Sequence, residues 1–155
     1  MTDTPRSAHL RALEAELLAM PPVAAMQLRV GDADGETLRL HAPLAPNVND
    51  KACAFGGSLT SLMTLAGWGL IALRLVEAGL DANVYVADTK VQYRTPVYTD
   101  LTAVAVADKG ESWAGFLETL RNVGRAQMTV AASVPLAEGG VAADSRSRYV
   151  AIRKG

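Results

Sequence analysis

Across residues 52–73 the chain carries no charged side chain, and residues from about 57 to 78 read as one long helix that is apolar on most of its sides. Such a helix cannot rest on a surface with one face in water. The rest of the chain has to wrap it. The uncharged run is also long enough to span a bilayer. Gly56, Gly57, Ser58, Thr60, Ser61, Thr64, Gly67 and Gly69 interrupt it, however, and the flanking segments alternate like half-buried strands. A buried core helix in a water-soluble domain is therefore expected, with no membrane partner.

The flanking segments supply the wrapping. Thr4 and Pro5 suit a helix start, and Leu10, Leu13, Leu17 and Leu18 give one apolar face to a helix over about residues 5–19. Met20-Pro21-Pro22 ends it. Met26, Leu28 and Val30 then alternate with Gln27 and Arg29, and Leu38, Leu40 and Ala42 alternate beyond the Asp34-Gly35 turn, which predicts a hairpin. Residues 43–54 form a loop. After the central helix, Gly79 supplies a left-handed stop, with Leu80 placed for the accompanying apolar contact. Strands are expected at 83–93 and 101–107. A short helix carrying Trp113, Phe116, Leu117 and Leu120 follows and closes at Gly124, with further strands at 125–134 and 148–153. The expected fold is α+β: one domain over residues 1–155, with an antiparallel sheet of five to six strands curled around the long helix. A sheet one layer deep leaves part of that helix uncovered, so a second subunit is expected.

Composition narrows the function classes. A net charge of −1 gives no general attraction to nucleic acid. The lone Cys53 excludes an internal disulfide, and no apolar leader opens the chain, so a reducing, cytoplasmic setting is expected. No His, Cys and Asp cluster has metal-ligand spacing, and neither metal nor cofactor is expected.

The most suggestive chemistry lies where the central helix begins. A helix start offers unpaired N–H groups and the positive end of the dipole, which suit a carbonyl oxygen that gains negative charge. The N–H groups of Gly57 and Ser58 are the expected oxyanion donors, with Phe55 and Gly56 beside them in the binding site. No acid occurs in the helix before Glu77, so the most obvious general base is missing.

Several motifs occur in order: Pro46-Asn47-Val48-Asn49, Phe55-Gly56-Gly57-Ser58, Leu65-Ala66-Gly67-Trp68-Gly69, Ala87-Asp88, and Tyr93 to Pro96. This set resembles the hotdog-fold thioesterase superfamily. Within it the set is most similar to a bacterial family of thioesterase-like proteins that also occurs fused behind an acetyltransferase domain. The likeness covers about residues 8–136. It implies acyl groups carried on coenzyme A or acyl carrier protein as substrates. It also implies a homodimer, or a pair of dimers, with sites at the subunit interface. Members are associated with decarboxylation of malonyl-acyl carrier protein, which makes acetyl primers for fatty-acid synthesis. Many hotdog thioesterases have His where this chain has Phe55, and an acid nine positions further on, where this chain has Thr64. Their carboxylate mechanism therefore does not carry over.

Other residues are candidates by type. An Asn amide both donates and accepts, so Asn47 or Asn49 could hold the thioester oxygen or a substrate carboxylate, or simply hold its own loop. Thr64 and Ser61 could position water, or pack against the helix. Asp88 is the candidate base if its strand buries it. Cys53 as a nucleophile would need His41 nearby, and a buried structural thiol is the expected alternative. Lys90, Arg94, Arg121 and Arg125 are candidate phosphate or carrier contacts. The expected activity is thioester hydrolysis, with malonyl decarboxylation close behind and a non-catalytic acyl-binding module as the third alternative.

Overall fold

The computed structural model describes residues 4–155. Among these, the helices are α1 (Pro5–Leu18), α2 (Pro21–Met26), α3 (Gly56–Glu77) and α4 (Trp113–Val123). The strands are β1 (Arg29–Ala33), β2 (Thr37–Ala42), β3 (Ala82–Tyr93), β4 (Leu101–Ala107), β5 (Arg125–Pro135) and β6 (Val141–Arg153). The strands form one antiparallel sheet in the order β1-β2-β4-β5-β6-β3.

α3 lies in the curl of that sheet, which is the hotdog arrangement. Leu62, Met63, Leu70 and Ile71 on the helix are fully buried, as are Leu38, Leu40, Ala103 and Ala105 on the strands beneath. Each large side chain so buried contributes about 1.5–3 kcal/mol before chain entropy is subtracted. The helix is long and apolar enough to cross a membrane, but 56% of that span is buried, packed against the sheet and α1. α1 shares the covering of α3 through Leu13 and Leu17. Its start is capped as expected: Thr4 Oγ1 accepts from Ser7 N–H at 3.1 Å.

Tyr149 fixes the middle of the helix to β6. It is buried, and its hydroxyl donates to the Thr64 carbonyl at 2.6 Å. Burial pushes the phenol up to about 12, so it stays a donor. At the far end, Gly79 adopts φ +71°. Gly79 N–H donates to Val76 O at 3.1 Å and Leu80 N–H to Leu75 O at 2.9 Å, the paired bonds that end a helix at a left-handed residue.

Two boundaries differ from the sequence expectation by more than one residue. Met26 lies in α2, a short helix started by Pro21 and closed by Gln27 at φ 58°, so β1 begins only at Arg29. Pro21-Pro22 both ended one helix and opened the next, because proline suits a first turn. β6 begins at Val141 instead of Arg148. Its inward residues Ala143, Ser145 and Ser147 are buried but small, so they carry little hydrophobic signal.

Candidate active site at the start of the central helix

The chain entering α3 is tied at three points. A 3-10 turn over Ala45–Asn47 follows β2. Phe55 N–H then donates to Asn47 O at 2.7 Å and Ala54 N–H to Val97 O at 2.8 Å. Asn47 is only 2% exposed. Its Nδ2 donates to Met26 O at 2.9 Å and to Pro43 O at 2.8 Å. Its Oδ1 accepts from the Ser58 hydroxyl at 2.9 Å. The Asn47 amide therefore joins α2, the end of β2 and α3. This corrects the expectation that it reaches a substrate, because both of its amide hydrogens and one lone pair of Oδ1 are engaged inside the protein and the side chain is buried.

Asn49 holds the same loop. Its Oδ1 accepts from Lys51 N–H at 2.7 Å and Cys53 N–H at 3.2 Å, and its Nδ2 meets Cys53 Sγ at 3.2 Å. It is a turn-maker, the alternative weighed for it from sequence. Cys53 is buried beside it. His41 is engaged elsewhere, with Nδ1 2.9 Å from Thr102 Oγ1 on β4, so the two do not pair.

The free N–H groups at the helix start differ by one residue from the expected donor pair. Ser58 N–H and Leu59 N–H both donate to Phe55 O, at 3.0 and 3.1 Å, closing the first turn. Among the described residues, the N–H groups of Gly56 and Gly57 make no hydrogen bond. Gly57 therefore keeps a free N–H, as the expected donor role requires. The Ser58 N–H is consumed by a 3-10-type bond, whereas the Gly56 N–H is free. Phe55 is 56% exposed, and its ring leans on Gly57, where an added Cβ would come within 2.8 Å of Phe55 Cζ.

The residues expected from β3 divide between the two faces of the sheet. Asp88 pairs in register with Arg148, and Arg148 Nη2 donates to Asp88 Oδ2 at 2.6 Å. Lys90 is registered with the exposed Arg146, and Arg94 Nε donates to Asp144 Oδ2 at 2.5 Å, which raises the guanidinium pKa further. The neighbouring β6 residues Ser147 and Tyr149 are buried toward α3, so Asp88 and Lys90 project from the opposite, outer face. This corrects the expectation that Asp88 is buried as a base; Lys90 and Arg94, expected as phosphate or carrier contacts, lie on the same outer face, away from the start of α3. A register shift between Val86 and Asp88 reverses the alternation along β3. Arg121 and Arg125 sit at the corner between α4 and β5.

Beyond the bulge, Tyr93 faces inward. Its hydroxyl donates to Gly56 O at 3.3 Å and meets Thr60 Oγ1. Neither Tyr93 nor Thr60 stood out from sequence as a site residue. Alternation counted from Val84 would have placed Tyr93 on the outside, and only the bulge brings it in. Ser61 is exposed and Thr64 half-buried on the helix. Among the described residues no three of His, Cys, Asp and Glu converge as a metal site requires. The first turn of α3 is thus an open pair of amide donors, rimmed by Phe55 and Tyr93, with no carboxylate on its own helix before Glu77.

A family model described as "Putative thioesterase (yiiD_Cterm)" matches residues 10–153. The chain belongs to this family. Solved structures agree with the fold. A protein of unknown function from Chlorobaculum tepidum is 28% identical with a TM-score of 0.88, over 98% of each chain. A "putative thioesterase" from Shewanella oneidensis is 25% identical with a TM-score of 0.84, over 94% of this chain and 98% of its own. A thioesterase from Haemophilus influenzae is 14% identical with a TM-score of 0.70, over 93% of this chain and 90% of its own, and shows the shared fold alone. The protein is a hotdog member of the thioesterase superfamily.

Proposed function

We propose that the protein binds an acyl thioester at the first turn of α3 and polarises its carbonyl oxygen with the Gly56 and Gly57 N–H groups. The reaction best suited to that turn is loss of carbon dioxide from a malonyl-type thioester carried on coenzyme A or acyl carrier protein. The observation that carries this reading is a free donor pair whose candidate base, Asp88, stands on the far face of the sheet in an ion pair. Decarboxylation needs no base. The bond from the α-carbon to the carboxylate breaks, carbon dioxide leaves, and the electron pair moves onto the thioester oxygen as an enolate. The α-carbon then takes a proton from water, and the thioester survives. A well-aimed amide donor is worth about 100- to 1000-fold in such a step. Hydrolysis is the second reading, supported by the family's description. It would require a base from a second copy.

The test incubates the protein separately with malonyl and long-chain acyl thioesters. Carbon dioxide released with the thioester intact supports decarboxylation, and free thiol supports hydrolysis. Neither product leaves an acyl-binding module and removes the enzymatic reading.

The assembly we propose is a homodimer formed along β3. This strand is twelve residues long, lies at one end of the sheet and exposes Tyr85 and Val86. A long open edge of that kind is a template for pairing with another strand. Sedimentation of the wild type should give a dimer, and Val86→Lys should weaken association by about tenfold or more by placing a charge at the seam. A wild-type monomer at all accessible concentrations would remove the pairing.

A further inference from the structure

We propose that the Tyr93 hydroxyl is a positioning group that strengthens the Gly57 N–H by donating to the other end of the same peptide. Its role rests on the thioester site proposed above and deepens it. The Gly56 carbonyl and the Gly57 N–H belong to one planar amide. Tyr93 Oη donates to that carbonyl oxygen at 3.3 Å. Hydrogen bonds in a chain polarise one another, so density drawn toward the Gly56 oxygen leaves the Gly57 N–H a better donor. The same hydroxyl meets Thr60 Oγ1, one turn along α3, which fixes where the phenol points.

The two glycines give this clamp something to do. Without Cβ atoms, the peptide between them is the least restrained part of the turn. The backbone before it is held by the Phe55 N–H and Ala54 N–H bonds, and the backbone after it by the Ser58 and Leu59 bonds to Phe55 O. Among the described residues, Tyr93 is the one outside the helix whose side chain hydrogen-bonds to the Gly56–Gly57 peptide. Its ring lies alongside, so that a Cβ added at Gly56 would meet Tyr93 Cε1 at 3.5 Å. Tyr93 is 58% exposed, yet its hydroxyl is bonded to the helix at two places where water would have served a free phenol. Tyr93 also lies on the edge strand, so pairing of β3 with a second copy would set the position of the clamp.

Tyr93→Phe keeps the ring and removes the hydroxyl. We expect kcat to fall about tenfold or more with KM within about twofold, because a stronger donor acts on the oxyanion more than on the ground-state carbonyl. In the free protein, the Gly57 amide proton resonance should move upfield. Thr60→Val should lower kcat less, and the double variant should fall no further than Tyr93→Phe alone, since the two act through one hydroxyl. A wild-type kcat in Tyr93→Phe, an unmoved Gly57 resonance, or multiplied losses in the double variant would overturn the role of Tyr93. Wild-type protein inert on every thioester removes the proposed function instead, and the Gly57 resonance then decides the clamp alone.

Discussion

Asn47→Asp should unfold the protein at a much lower urea concentration than the wild type at pH 7, a loss of about 3–6 kcal/mol. The substitution is nearly isosteric. Its effect comes from turning a donor into an acceptor at a site where two carbonyl oxygens, Met26 O and Pro43 O, wait at 2.9 and 2.8 Å. Each carbonyl left without a donor costs about 1–3 kcal/mol, and an ionised carboxylate beside them adds repulsion. Against a typical net stability of about 5–15 kcal/mol, this is a large share. The penalty should depend on pH. Burial raises the introduced carboxyl's pKa in the folded state, so its neutral form is tolerated at low pH and stability falls as pH rises through the folded value. The urea midpoint of the variant should therefore lie nearer the wild type at pH 4.5 than at pH 7. Unchanged stability with lost activity would instead return Asn47 to the substrate site.

Gly67→Ala should also be costly, although alanine is the better helix former by about 1 kcal/mol. A Cβ at Gly67 would come within 2.9 Å of Tyr149 Cζ, with the hydroxyl nearer still. Tyr149 is buried and tied to Thr64 O, so it has no free rotamer to retreat into. Overpacking of about 1–3 kcal/mol and a displaced buried hydrogen bond of about 1–3 kcal/mol outweigh the propensity gain. A net loss of about 2–4 kcal/mol is expected, or a fall in melting temperature of about 5–15 °C for a chain of this size. Tyr149→Phe in the same chain removes the nearest clashing atom. The double variant should then be less destabilised than the sum of the two single variants, as thermal unfolding of the four proteins would show. Full additivity would mean that the hydroxyl is not what the alanine strikes.

The fold was legible because its signals are local and strong. An uncharged helix, period-two strands, the Asp34-Gly35 turn and the Gly79 and Gly124 stops each act within a few residues. The main misread boundary, the start of β6, fell where alanine and serine replace large apolar residues and the pattern loses contrast. The donor turn was legible in part. Gly56-Gly57 marked it, but which N–H groups stay free depends on whether the first turn closes with a bond to Phe55 O, and that is a matter of ångströms.

The sequence alone determined that one apolar helix must be enclosed by an antiparallel sheet, and that the helix opens on glycines without an acid nearby. Tertiary structure decided which polar groups look toward that opening. A single extra residue between Val86 and Asp88 sends Asp88 outward to Arg148 and brings Tyr93 inward to Gly56. Side chains alternate with period two, so one bulge exchanges the faces of every residue beyond it, and only the pairing of β3 with β6 shows where the bulge falls.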